Sequence, residues 1–269
     1  MHLIKDVENI DVKDREIAKS IIERLRQGDR VIGNPAEGLK QTLKKIEEEH
    51  SIRSSAKNVL DYVQNDDEYN TQHKLLQAGI NGEEELAEYL EQVVKYDKEL
   101  QDIIYFASLS DPEQNSGGDD YISDSDFIAI YGNNILIMDA KNIITNPDLP
   151  IYLQDSVLVA AGGKEILELH PSTFVWANVF ARNNIEVESL HGCVVIVNKR
   201  GASIWRNPEW FNSEVKPIHI GDLVQFLHDW IQDKKPNVNL SLLVTLAKMQ
   251  IKKEKSNLGV REKATKLGF

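Results

Sequence analysis

Two apolar runs of strand length, Phe127 to Tyr131 and Ile135 to Met138, flank Gly132-Asn133-Asn134, and no other stretch restricts the fold so closely. Glycine and asparagine suit the tight turns of two-stranded ribbons, so this spacing predicts an antiparallel hairpin. Residues equidistant from a short turn lie opposite each other across the ribbon. Asp126 opens the first strand and Asp139 closes the second, so the hairpin brings both acids to one end. Side chains alternate along a strand, which puts Asp139 and Lys141 on one face and turns Ala140 away. The run Ile135-Leu136-Ile137-Met138 is apolar at every position, the pattern of a strand buried on both faces.

Two carboxylates and an ammonium at the end of a buried strand suit metal-assisted chemistry. Hard divalent cations such as Mg²⁺ take oxygen ligands and keep waters that can be activated for attack on phosphorus. A neighbouring lysine can orient that water or offset the charge developing on phosphate. A lone Asp-x-Lys is usually a solvated pair. The buried strand before it, with Asp126 in register, favours a site over a surface pair.

A second element supplies another acid. From Glu83 onward, Leu86, Leu90, Val93, Val94 and Leu100 recur at helical spacing and mark a buried stripe. Glu83 falls on that stripe, while Glu84, Glu85, Glu88 and Glu91 lie beside it or on the solvent face. An inward carboxylate is costly unless it is paired or metal-bound, so Glu83 is the acid of this group assigned to the site. The competing reading makes Glu83 an acid at a helix start, beside the positive end of the dipole.

Together these pieces resemble the nuclease-related domain, NERD, of the PD-(D/E)xK superfamily. Gly79-Ile80-Asn81-Gly82-Glu83 is similar to the Gly-x-x-Gly-Glu that opens that domain. Asp126 precedes an apolar strand, and Asp139-Ala140-Lys141-Asn142 is similar to the family's Glu-Val-Lys-Asn, with aspartate in place of glutamate. The resemblance covers about Gln72 to Trp205 and implies an α/β (α+β) fold, a restriction-endonuclease-like core with a central mixed sheet flanked by helices. It implies a metal-dependent nuclease that hydrolyses phosphodiester bonds, with DNA favoured over RNA and a role in DNA processing or defence against foreign DNA. Asp126 and Asp139 would hold Mg²⁺ or Mn²⁺, helped by Glu83 and the Ala140 carbonyl. Lys141 would position the attacking water, and Asn142 would orient a ligand or phosphate.

The likeness loosens downstream. His170-Pro171, a helix over Ser172 to Ala181, and the strands Cys193 to Val197 and Ala202 to Trp205 follow the family's order. The family's Asn-Pro and its glutamine three residues after the proline are replaced here by His170 and Phe174, so no role is carried over from them. Asn146 to Leu169 reads as an insertion or as a divergent region.

Three regions are predicted: an N-terminal helical region to residue 70, a mixed core over 71–235, and a C-terminal helix and basic tail over 236–269. Expected helices are Asp14 to Arg26, Pro35 to Glu49 and Arg53 to Val63, the last ended by Asn65-Asp66-Asp67. Gly221 to Ile231 and Leu240 to Lys253 follow, joined by Lys234-Lys235-Pro236-Asn237.

Charge divides unevenly: residues 1 to 126 hold 29 Asp and Glu against 15 Lys and Arg, and the rest hold 14 against 16. Any surface facing nucleic acid should therefore come from the second half. The stretch from Lys248 to Phe269 holds 7 basic residues against 2 acidic ones, which suits either phosphate contact or a solvated face. Asp119, Asp120 and Asp124 read as a solvated loop, with Asp124 close enough to the site to contribute through water. A single cysteine, Cys193, gives no disulfide framework and reads as a core residue. No apolar stretch predicts a signal peptide or a membrane span, so the expectation is a cytoplasmic protein.

Other chemistries find little support. Gly162-Gly163-Lys164 lacks the glycine and the Ser or Thr of a phosphate loop, there is no Gly-x-Ser-x-Gly, and the histidines show no ligand spacing. The alternative to an enzyme is a nuclease-like fold kept as a nucleic-acid or protein binding module. In either case the N-terminal helices suit a homodimer or a protein partner.

Overall fold

The structure, a computed structural model, describes residues 7, 10–55, 59–110, 124–143, 150–160, 162–169, 172–197, 204–237 and 239–250. Its helices are α1 (Arg15–Gln27), α2 (Glu37–Ser55), α3 (Val59–Tyr96), α4 (Ser172–Arg182), α5 (Pro208–Asn212), α6 (Leu223–Ile231) and α7 (240–250). Its strands are β1 (Val31–Ile32), β2 (Ile104–Ser110), β3 (Asp124–Tyr131), β4 (Asn134–Lys141), β5 (Ile151–Gln154), β6 (Val157–Ala160), β7 (Lys164–Glu168), β8 (Ser189–Ile196), β9 (Ile204–Trp205) and β10 (Val215–His219).

Six strands form the central sheet in the order β1-β2-β3-β4-β8-β10. It is mixed: β2, β3 and β4 run antiparallel in sequence, while β4, β8 and β10 run parallel. Parallel neighbours need a crossover, and α4 supplies the one from β4 to β8. Strands β3 and β4 form the predicted antiparallel hairpin, with Phe127 opposite Met138 and Ile130 opposite Ile135, which brings Asp126 and Asp139 to one end as expected. Its turn is shorter than the sequence suggested. Gly132 and Asn133 alone make it, Gly132 taking the positive φ of 65° that such turns demand, and Asn134 belongs to β4.

Both faces of the sheet are covered, which explains why β4 alternates so little. Ile128, Ile130, Ile135 and Ile137 pack with α1, α4 and α7, represented by Ile21, Trp176 and Leu243. Phe127, Ala129, Leu136, Met138 and Cys193 pack with α3 and α6, represented by Leu86, Leu90 and Leu227. Cys193 is buried, as a core residue should be. The fold is thus a mixed α/β architecture with helices on both sides of a central sheet.

The region set aside as an insertion, Asn146 to Leu169, has structure of its own over its described residues. It folds into β5, β6 and β7, which with β9 make a second sheet in the order β7-β6-β5-β9. Ile151, Leu153 and Leu158 bury against Val194, Ile196 and Val215 of the central sheet. Gly162 and Gly163, at φ 103° and 83°, form the turn between β6 and β7.

Helix α3 departs most from expectation. It runs unbroken for 38 residues through Asn65-Asp66-Asp67, where the sequence suggested a stop. Asparagine and aspartate are weak helix formers but not breakers as proline is, so three in a row lower helix propensity without ending the run. The boundary drawn at residue 70 consequently falls inside α3. Residues before it also join the core: β1 is a strand of the central sheet, and Ala18, Ile21, Ile22 and Leu25 of α1 pack beside α7. The candidates Asp119, Asp120 and His170, and the chain beyond residue 250, lie outside the described residues, as does the Asp124 side chain.

Candidate active site

The hairpin register puts Asp126 one step beyond the Phe127–Met138 pair, opposite Asp139. The two acids are joined through the backbone. Asp126 Oδ2 accepts the Ala140 N–H at 2.7 Å, and the Asp126 backbone hydrogen-bonds to the Asp139 carboxylate. Within a strand the N–H and C=O of one residue point to the same side. The Ala140 carbonyl therefore also faces β3, where a ligand between the strands would meet it. Ala140 itself packs its methyl into the α3 side of the core, while Asp139 and Lys141 are partly exposed.

Asp139 has its carboxyl pushed above the usual carboxylate range. Burial is the main cause, and the negative charge of Glu83 adds to it. The Lys141 ammonium and the backbone hydrogen bond from Asp126 work against it. Like charges crowded at a half-buried position are the condition that a divalent cation relieves, so the donor set fits Mg²⁺ or Mn²⁺. Asp126, Asp139 and the Ala140 carbonyl are the groups that would hold it, all hard oxygen donors. Among the described residues, no three His, Cys, Asp or Glu side chains converge as a complete metal cage.

Glu83 is buried, 6% exposed, and it does not start a helix. It lies within α3, so the dipole of its own helix cannot account for it. The carboxylate instead accepts the Ala36 N–H at 2.8 Å, immediately before α2, and so sits at the positive end of a different helix. Ala36 takes a positive φ of 58° there. The side chain that reaches Asp139 electrostatically is thus also the anchor of α2.

The two glycines before Glu83 explain how α3 comes so close. A Cβ on Gly82 would lie 3.1 Å from the Asn142 Cβ and 3.3 Å from Val197, and one on Gly79 would lie 2.8 Å from Leu39 of α2. The Asn142 amide donates to the Ala78 carbonyl at 3.2 Å. It fastens the end of β4 to α3, a positioning role that its sequence neighbours do not reveal.

Sequence reasoning missed Ser108. Register places it opposite Asp126, between the Ala107–Phe127 and Leu109–Ser125 pairs, and it holds φ at 52°. Such a conformation is costly for a residue with a Cβ. It reverses the alternation of β2: Phe106 packs on the α1 side, and so does Leu109, three residues on. The Ser108 hydroxyl accepts the Glu37 N–H at 3.4 Å. Ser108, Ser125, Glu83 and Asp126 line one cavity of about 450 Å³, roofed by Gly38, Leu39, Gln41, Thr42 and Lys45 of α2. Asp139 and Lys141 are not part of that lining. No signal in one sequence marks a serine for a left-handed backbone.

No family model matches the chain, and no curated protein or solved structure matches it either.

Proposed function

We propose that the chain is a metal-dependent nuclease with a restriction-endonuclease-like core, hydrolysing phosphodiester bonds of nucleic acid, DNA in preference to RNA. The observation that carries this reading is the pairing of Asp126 with Asp139 across the hairpin end, with the Ala140 amide held by Asp126 and Lys141 on the Asp139 face. A central mixed sheet with helices on both faces agrees with that core.

In this reading Asp126 and Asp139 bind Mg²⁺ or Mn²⁺ with the Ala140 carbonyl. The bound ion would supply Lewis-acid polarisation and an acidified water. Lys141 would orient an attacking water and offset charge on the attacked phosphate. Glu83 adds negative charge beside Asp139, which would favour a cation at that end of the hairpin.

Incubation with plasmid, linear and single-stranded DNA and with RNA, with Mg²⁺ or Mn²⁺ and with chelator, tests the reading. Metal-dependent cutting that Lys141→Ala and Asp139→Asn abolish is the expected result. No cutting of any substrate by the folded wild-type chain would overturn it.

A further inference from the structure

A second concave site lies at the other end of the central sheet and is cationic where the first is acidic. Its cavity of about 810 Å³ is built by α4, β8, α5, β10 and α6, a size ordinary for small-molecule sites. Along the strands it is separate from the acids. His191 in its wall pairs with Leu136, whereas Lys141 pairs with Ile196, which sets the two ends about 17 Å apart at the usual rise per residue.

Three cations from different segments enter it: Arg206, Lys216 and Lys234. Each lies against an indole. Arg206 and Lys216 stand 4.7 Å and 5.1 Å from the Trp210 ring centroid, and Lys234 stands 5.5 Å from that of Trp230. The ammonium groups are held in place by helix carbonyls, Lys216 by Trp210 and Phe211 at 2.7 Å and 2.8 Å, and Lys234 by Trp230. Glu214 and Asp229 are the acids in the wall, so positive charge is in excess. Burial lowers the pKa of both lysines, and burial with the two lysines lowers that of His191. The same wall leaves Phe174 and Phe211 with 70% and 64% of their surface exposed. Among the described residues, nothing accepts the indole N–H of buried Trp230.

Preorganised cations call for an anion, and large rings left in water beside them call for a flat apolar surface. One ligand class meets both demands within the available volume. We infer that this cavity is a nucleotide-binding site, taking the phosphate on Arg206, Lys216 and Lys234 and stacking the base on Phe174 and Phe211. The nucleotide comes either free or as a residue of a single strand.

Quenching of tryptophan fluorescence in the presence of chelator, on the full chain carrying Asp139→Asn, tests this independently of any cutting. AMP, ATP and a short oligodeoxyadenylate are titrated, with adenosine and inorganic phosphate as half-ligands. Saturable quenching is expected, with both half-ligands roughly tenfold weaker and with Arg206→Ala and Phe174→Ala each costing roughly tenfold. Both side chains are exposed, so these variants keep the fold. Binding of AMP or ATP supports a free nucleotide as the occupant; binding of the oligonucleotide alone supports a strand. The inference is overturned if no nucleotide quenches, if inorganic phosphate binds as well as AMP, or if neither variant weakens binding.

Discussion

The Ala140 N–H donates to the Asp126 carboxylate at 2.7 Å, so an acid of the candidate site is also a pairing group of the hairpin. Aspartate replaces a carbonyl at the point where the β3–β4 ladder ends. Removing it therefore affects chemistry and fold together, and only a shape-conserving change separates them.

Asp126→Asn keeps an oxygen acceptor for the Ala140 amide and loses the charge. It should abolish metal-dependent cutting while denaturant unfolding stays within about 0.5 kcal/mol of wild type. Asp126→Ala leaves that amide without its acceptor and should cost about 1–3 kcal/mol in the same measurement. Equal stability of the two variants would show that the hydrogen bond contributes nothing.

Asp139 gives a prediction with the opposite sign. Its folded-state pKa is raised by burial and Glu83, so folding favours the protonated form. That contribution is present below the ordinary value of 3.8 and is lost as pH rises through the folded-state value. At neutral pH the ionised carboxylate is a burden on the fold. Asp139→Asn should therefore unfold at a higher denaturant concentration than wild type near pH 7 while being inactive, the trade expected where function strains a structure. The difference should shrink on acidification.

Glu83 should respond differently from both. Glu83→Gln retains an acceptor for the Ala36 N–H at the start of α2, so α2 stays seated, and activity falls through the changed charge beside Asp139. Glu83→Ala should destabilise by about 1–3 kcal/mol, because a buried amide loses its partner. Proteolytic susceptibility of α2 reads the distinction directly.

Far from the site, Asp97 Oδ2 lies 2.7 Å from His228 Nε2. Burial alone would raise the Asp97 pKa, but the His228 hydrogen bond and charge, with the Glu99 and Leu100 amides, outweigh it and lower the value. Stability from this pair is present above the ordinary 3.8 and is lost as pH falls through the folded-state value. An Asp97→Asn chain should show a flatter acid limb when its unfolding midpoint is followed against pH.

Gly82→Ala sets two effects against each other. Alanine improves helix propensity by about 1 kcal/mol, but its methyl must push on Asn142 and Val197. Unfolding stability should change by less than about 1 kcal/mol. Activity should fall, because the shift of α3 moves Glu83 relative to Asp139.

The hairpin was legible because two apolar runs of strand length and a turn agree there: Phe127 to Tyr131, Gly132, and Ile135 to Met138 each specify the same ribbon. The stripe Leu86, Leu90, Val93 likewise placed Glu83 on the buried side of a helix. What the residues could not tell was where that helix began, since Asn65-Asp66-Asp67 has the local chemistry of a stop and the helix nevertheless runs through it. Asn142 and Ser108 were illegible for another reason. The partner of Asn142 is Ala78, 64 residues earlier, and the conformation of Ser108 answers to Asp126 on the next strand. The second sheet was hidden because β5 to β7 are each at most 5 residues long, too short for alternation to stand out.

A straight α3 of 38 residues is about 57 Å long, and about 36 Å of it precedes Glu83. Gly79 and Gly82 are where this rod rests on α2, Asn142 and Val197. Glu83 therefore follows directly on the stretch where the helix meets the core, nearly two-thirds of the way along its length.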